Sequence, residues 1–448
     1  MKQRRVLAML LCAVTGASLL AGCGSSSSSG TVQDSAENQA TTTADESGAD
    51  QAESADASDE PEEFYMFING PEYADKINEL IDEYKTVKPN VTINYETTQN
   101  DYPTMLKAKL NAGELPDIFA STAGKEIDLY KEYSLDLTGQ PVQEAMTPAV
   151  QASMTDSSGN GCYGFHYGAG EYGIIYNWGC FEKAGIEEAP KTLDELKDDC
   201  EKLKAVGIQP FACGYAEWWV FKQSLFPFMT EAVDNYGEFV NAMSDGTESL
   251  NNYDMMKNNM FEFVDIVKAN CESKPLESDL NAMETAVATG QAAMGLGMGA
   301  WAESSLLAIN PEMDIRIGGY PVSDDPTKCQ IAIGADQSFH INKDSEHKQA
   351  CLDFVNWWFT SDYGKQWLID IGGYPSIDTD GVFSGKVAQQ GAEITAKDGA
   401  GVLGTAYCSD AFWQAFGEAF QSYVEGSASK EETISKIDAD WPVIDGAQ

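Results

Sequence analysis

Beyond residue 61, short apolar runs alternate with segments of helical period. Phe64-Tyr65-Met66-Phe67-Ile68 is wholly apolar, the pattern of a strand buried on both faces of a parallel sheet. Gly70-Pro71 predicts a helix start, with Tyr73, Ile77, Leu80, Ile81 and Tyr84 on one face. Val91–Tyr95 alternates as a strand. Tyr102, Met105, Leu106 and Leu110 mark a second helix closed by Gly113, and Leu115–Ala120 returns to strand. This β-α-β-α-β order opens a parallel sheet of the α/β class.

A second unit follows the same logic. Ile174-Ile175-Tyr176 reads as a strand, and Thr192-Leu193-Asp194-Glu195 as a capping box for a helix through Leu196, Cys200 and Leu203. Gly207 ends that helix and Ile208–Ala212 is the next strand. Residues 236–290 are rich in helical pattern, with Phe261, Val264, Ile266 and Val267 as core positions. Ala293–Met298 is apolar and small, and Gly299-Ala300-Trp301 turns sharply. Cys351, Phe354, Val355 and Trp358 form a helical stripe. Two last helices carry Phe412, Phe416, Phe420 and Tyr423, then Ile434 and Ile437.

The first sixty residues break this pattern. Lys2, Arg4 and Arg5 precede the apolar run Val6–Leu20 and then Leu20-Ala21-Gly22-Cys23. That run is short for a bilayer span and suits a signal peptide over 1–22. The small residues before Cys23 resemble a bacterial lipobox, in which the Cys carries lipid. The alternative is an ordinary secretory signal with an incidental Cys. Residues 24–61 hold Ser25–Ser29 and nine Asp/Glu, with no Lys, Arg or aromatic residue. Such a stretch cannot bury enough apolar surface to order itself. It predicts a tether over 23–61, with a typical span of about 35 Å.

Charge narrows the function. The 448 residues carry 71 acidic side chains against 28 Lys+Arg, a net −43, and three His. That balance excludes electrostatic binding of nucleic acid and docking of a basic face on anionic lipid. It also disfavours a His-rich zinc enzyme. Of ten Cys, Cys12 and Cys23 lie in the leader. The other eight form no C-x-x-C pair, and whether they make disulfides stays open. Cys200, Cys213 and Cys351 sit in apolar patterns where a free buried thiol is equally plausible. No G-x-S-x-G or H-E-x-x-H motif is present; His166, His340 and His347 are scattered. The glycines of 295–299 lack a G-x-G-x-x-G context. No metal, cofactor or catalysis is expected, and a glycoside hydrolase is the weaker alternative.

Five stretches together resemble the extracellular solute-binding proteins of bacterial ABC transporters, in the sugar-binding group that includes maltose-binding protein. They are Leu110-Asn111-Ala112-Gly113-Glu114-Leu115-Pro116-Asp117; Tyr163 through Glu171 to Phe181-Glu182-Lys183-Ala184-Gly185 and Pro190–Leu196; Gly290–Met294 with Gly299-Ala300-Trp301; Ala350–Gly364 with Gly372-Gly373-Tyr374-Pro375; and Ala411-Phe412-Trp413. Their order and spacing match over residues 64–441. The resemblance implies a periplasmic-binding-protein-like α/β fold with two discontinuous lobes and a ligand cleft between them. Lobe one would be 62–172 plus 333–376, and lobe two 173–332 plus 377–448. It further implies a lipid-anchored monomer on the outer face of the cytoplasmic membrane. That protein would pass an oligosaccharide to ABC permease subunits, the alternative ligands being peptide, polyamine or another small solute.

Nine Trp and 19 Tyr suit such a ligand, because the C–H face of a sugar packs on aromatic rings while its hydroxyls need oriented polar partners. The resemblance places a stacking aromatic at Trp301, cleft residues at Trp218 and Trp219, an acidic contact at Glu171 and a second stacking ring at Trp413. Each has a structural reading beside it: a core ring for the tryptophans, a solvated charge for Glu171. Adjacent side chains on an extended segment point apart, so only one of the two is expected to face the ligand, and Trp219 is preferred. Asn69, Ser121 and Thr122 follow strands of an open α/β sheet, where such folds place ligands. Asp336 and Tyr374 lie beside the second and third crossings. Tyr102 reads as core and Asp117 as structural.

Overall fold

The computed structural model describes residues 60–446 apart from Asn100 and Asp336. The leader, Cys23, the tether to residue 59 and Asp336 therefore lie outside the described residues. Ten strands build two sheets. The first contains β1 (Glu62–Ile68), β2 (Val91–Thr97), β3 (Ile118–Thr122) and, after a long excursion, β9 (Gln337–Ile341). Their order is β2-β1-β3-β9, with β1 parallel to both neighbours and β9 antiparallel to β3.

The second sheet is organised on β4 (Gly168–Asn177), much longer than the strand Ile174–Tyr176 that apolarity alone marks. Its neighbours are β6 (Ala292–Gly299), β7 (Ile315–Gly318), β8 (Ala332–Gly334) and β10 (Tyr374–Pro375), all antiparallel to it. The sixth strand of this sheet, β5 (Gln209–Ala212), pairs with β6 instead and runs parallel to it. The first half of β4 is glycine-rich, Gly168-Ala169-Gly170, and carries no apolar signal.

Buried apolar residues form two separate cores. One draws on residues 64–167 and 335–377, including Phe64, Phe67, Ile118, Phe339 and Trp358. The other draws on 172–332 and 387–441, including Ile175, Phe211, Met294, Phe416 and Trp441. The chain passes between the two cores three times, along β4, between β8 and β9, and after β10. The fold is thus an α/β protein of two lobes, each assembled from separated stretches of sequence. Trp301 packs against both cores.

Local signals act as the sequence suggests. Thr192 caps the helix Leu193–Ala205, accepting from the Glu195 backbone N–H at 3.2 Å, and the Glu195 carboxylate reciprocates at the Thr192 N–H. Pro71 opens a 3₁₀ turn, Pro71–Tyr73, ahead of the helix Ala74–Val87. All eight described cysteines are free thiols, with Cys200, Cys213 and Cys351 buried. No helix among the described residues is long and apolar enough to cross a membrane.

Candidate functional site

A cleft of about 730 Å³, counting the solvent at its open mouth, lies where the two cores approach. The first-core side supplies Glu72, Tyr73, Gln99, His166, Tyr167 and Gln337. The second supplies Trp219, Gln223, Leu280, Gly297 and Trp301. Gly168, Ala169, Gly170 and Tyr172 of β4 form one wall, and Gly372-Gly373 another. Glycine at these wall positions lets backbone reach the cavity surface. No Lys or Arg is among the described residues lining it.

Two tryptophans define the apolar side. Trp219 opens the helix Trp218–Thr230, and Trp301 sits in the 3₁₀ turn Ala300–Ala302 after β6. Their ring centroids are 6.0 Å apart, with planes at 69°. Gly297, at φ +66°, makes this seating possible: a Cβ there would lie 3.1 Å from Val220 Cα and 3.4 Å from the Trp219 ring. Opposite them, Tyr167 meets Tyr73 edge to face at 4.9 Å. The indole Nε1–H of Trp219 and the Gln99 Oε1 are buried without a hydrogen-bond partner, which leaves a donor and an acceptor for a ligand.

Several residues singled out from the sequence lie elsewhere. Trp413 is fully buried in the second core, and its Nε1–H donates to Thr405 O at 2.9 Å, so it presents no face to the cleft. Trp218 is beside Trp219 in sequence but occupies another face of the helix, against the second core. Glu171 is fully buried and off the cavity surface. Its strand neighbours Gly170 and Tyr172 line the cavity, whereas the side chain between them does not. Tyr374 packs edge to face on Phe383 at 4.8 Å, and its neighbours Gly372 and Gly373 reach the cavity instead.

The carboxyl end of β3 is also occupied. Ser121 Oγ and the His340 Nε2 lie 2.8 Å apart, and Ser134 Oγ is 2.9 Å from His340 Nδ1. Burial holds this imidazole neutral, its pKa pushed down to about 3. The Thr122 N–H donates to Glu126 Oε2 at 2.8 Å. Asn69 Oδ1 is buried without a partner, outside the cavity lining. Tyr102 is core, its hydroxyl donating to Phe67 O at 3.0 Å. Asp117 is structural, accepting from the Tyr65 N–H at 2.7 Å and the Ser345 hydroxyl at 2.5 Å.

Two buried carboxyls outside the cavity lining have raised pKa values. Burial pushes the Glu171 carboxyl up to about 8, against the lowering effect of a hydrogen bond from its own backbone and with a smaller push from the Glu303 charge; neither oxygen has a hydrogen-bond partner beyond its own residue. Glu126 joins the lobes. It accepts from the Asp410 N–H at 3.1 Å as well as from Thr122, and burial followed by the Asp410 charge raises it to about 7. Lys222, itself buried, pairs with Asp410 at 3.3 Å.

Gln99, His166, Tyr167, Tyr172, Gln223 and Gln337 were not singled out as ligand residues from the sequence. They come from five separated places in the chain, 99, 166–167, 172, 223 and 337. The one available signal is adjacency: His166 and Tyr167 immediately precede the glycine-rich start of β4.

Known proteins share this architecture. A sugar transporter protein from Bacillus licheniformis, solved with stachyose, superposes with a TM-score of 0.72 at 18% identity, covering 85% of this chain and 100% of that one. RafE in complex with raffinose gives 0.71 at 18% identity, covering 85% and 99%. In sequence, the melibiose/raffinose/stachyose-binding protein MelE of Bacillus subtilis (strain 168) is 24% identical over 166 residues. That alignment spans 36% of this chain and 38% of MelE, so the chain matches little more than a third of this relative's length. The family model described as bacterial extracellular solute-binding protein matches residues 70–365. With that match covering about two thirds of the chain, the chain belongs to the bacterial extracellular solute-binding protein family.

Proposed function

We propose that this protein is the substrate-binding lipoprotein of an ABC importer, capturing a neutral oligosaccharide by closure of its lobes. The observation that carries this reading is the Trp219–Trp301 corner, set in a cleft with amide and phenol side chains and without Lys or Arg. Perpendicular indoles offer one ring for stacking and the other as a side wall, while Gln99 and the Trp219 Nε1–H supply hydroxyl partners. A phosphorylated or carboxylated ligand would find no cation there. The stachyose and raffinose named with the structural neighbours, and the ligands in the name of MelE, support the same class.

In this reading the lobes are 62–172 plus 333–376 and 173–332 plus 377–448, bending about the strands that join them. Lipid on Cys23 and the tether 23–61 hold a monomer at the outer membrane face. The closed form is recognised by permease subunits, and the protein itself performs no catalysis and needs no cofactor.

A melting panel tests this. Raffinose, stachyose and chitin oligosaccharides are compared with spermidine and short peptides. A true ligand at a hundred times its dissociation constant adds about 2.7 kcal/mol of stability. Stabilisation by spermidine or a peptide and by no carbohydrate would overturn the sugar assignment. Appearance of cleaved sugar would make the protein a hydrolase instead.

A further inference from the structure

A cluster outside the cleft joins two loops that serve it. Cys213 follows β5, and Cys271 follows the helix Met260–Ala269. The Phe211 N–H donates to Asn270 O at 3.1 Å, so these two chain segments run side by side. The Cys213 thiol donates to Glu272 Oε1 at 3.3 Å. The donor atoms of Cys213, Cys271 and Glu272 all lie within 4.8 Å of one another. Cys213 is buried, whereas Cys271 and Glu272 are partly exposed. Proteins of an extracellular family meet an oxidising environment, in which such pairs persist as disulfides.

We infer that Cys213 and Cys271 are a disulfide-forming pair, with Glu272 as the base that takes the Cys213 proton. The oxidant is a low-molecular-weight disulfide. The accessible Cys271 thiolate attacks one of its sulfurs, releasing one small thiolate and leaving a mixed disulfide on Cys271. Cys213 then passes its proton to Glu272 and attacks the Cys271 sulfur. The bond to the second small thiol breaks, and that leaving thiolate accepts the proton from Glu272. Two protein thiols become one disulfide, and one small disulfide becomes two thiols.

The bond would staple loops that already touch. The Ala216 N–H donates to Ser278 O at 3.0 Å, and the Leu280 N–H donates to Glu217 Oε1 at 3.3 Å. These loops lead directly to Trp219 and Leu280, both on the cavity surface. A crosslink restricts the open chain and pre-organises the second-lobe side of the cleft. Its effect on binding rests on the sugar-binding reading; the bond itself does not.

The test incubates the full chain with oxidised glutathione, blocks remaining thiols with iodoacetamide and maps unreduced peptides by mass spectrometry. The expected result is a Cys213–Cys271 crosslink, absent from Cys271→Ser, with a melting temperature that rises on oxidation and falls again with dithiothreitol. Alkylation of both thiols, a crosslink only elsewhere, or glutathione retained on Cys271 would overturn the proposal. So would zinc that shields both thiols without a crosslink, since that identifies a metal site. Raffinose affinity measured on the same samples separates the two readings: a crosslinked protein that binds no sugar in either redox state retains the disulfide and loses the sugar assignment.

Discussion

Trp219 and Trp301 meet edge to face at 6.0 Å, one at the start of a helix and the other in the turn after β6. Trp301 is also the one described residue that packs on both hydrophobic cores from a partly buried position. In the proposed function, a ring so placed would meet the ligand and the approach of the lobes together.

Replacing either ring should therefore weaken sugar binding strongly. Trp301→Ala and Trp219→Ala are each expected to cost about 2 kcal/mol, roughly thirtyfold in affinity. Isothermal titration with the best sugar of the melting panel measures this. Affinities within twofold of the unmodified protein would remove the stacking corner from the mechanism. Trp413→Phe, by contrast, should leave affinity unchanged, because that ring is sealed in the second core.

Glu171 predicts a pH dependence with a definite sign. Its carboxyl is raised from 4.5 to about 8 by burial, so the folded protein keeps a proton that the unfolded chain has lost. Stability then declines as pH rises through that interval, by up to about 5 kcal/mol from this group. Glu171→Gln removes the slope, and its melting temperature should gain on the unmodified protein between pH 5 and pH 8. Taking the difference cancels Glu126 and His340, which titrate in both proteins. Parallel melting profiles across this range would show that Glu171 is ionised in the folded state.

Gly124 governs how closely the lobes meet beside Glu126. It has φ +75°, and a Cβ there would lie 2.5 Å from the Ala406 carbonyl oxygen of the opposite lobe. Gly124→Ala thus combines backbone strain of about 1–3 kcal/mol with a wedge between the lobes. Sugar affinity should fall about tenfold. Small-angle scattering should show the ligand-loaded variant keeping the radius of gyration of the free protein. Full compaction with unaltered affinity would show that this contact plays no part in closure.

Three of the four first-sheet strands, β1 to β3, and the capped helix were legible because their signals are local, whereas β9 carried no such signal and was missed. Phe64–Ile68 is apolar at every position, and Thr192 with Glu195 satisfies two helix-end donors within four residues. The cleft was legible only where a local signal coincided with it, as at Trp301 after Gly299. Glu171 shows the limit: its strand neighbours line the cavity while it faces inward, and a one-residue change of face leaves no mark in composition. Trp413 shows another, since aromatics at helical spacing read alike as core or as ligand platform. Gln99, Tyr167 and Gln337 of the first lobe face Trp219 and Trp301 of the second only after both lobes have assembled, so no window of sequence contains the site.

The capping box allows the simplest stability test. Thr192→Ala removes the acceptor of the Glu195 N–H and should destabilise the protein by about 1 kcal/mol in urea unfolding, without altering sugar affinity. A change in affinity would connect this outer helix to the cleft in a way its position does not suggest.

Ile118 pairs with Ile341 across β3 and β9. A chain synthesised or exported from its amino end therefore begins the first lobe early and cannot finish it until residue 337 arrives. Throughout that interval β3 exposes an unpaired edge, open to pairing with another nascent chain. The second sheet gathers β4 to β8 from residues 168–334 meanwhile. Neither lobe is complete before β9 arrives, because the second core still awaits Phe416, Trp441 and the rest of 387–441: the two lobes finish in relay, and chaperone demand should last until those final helices are delivered.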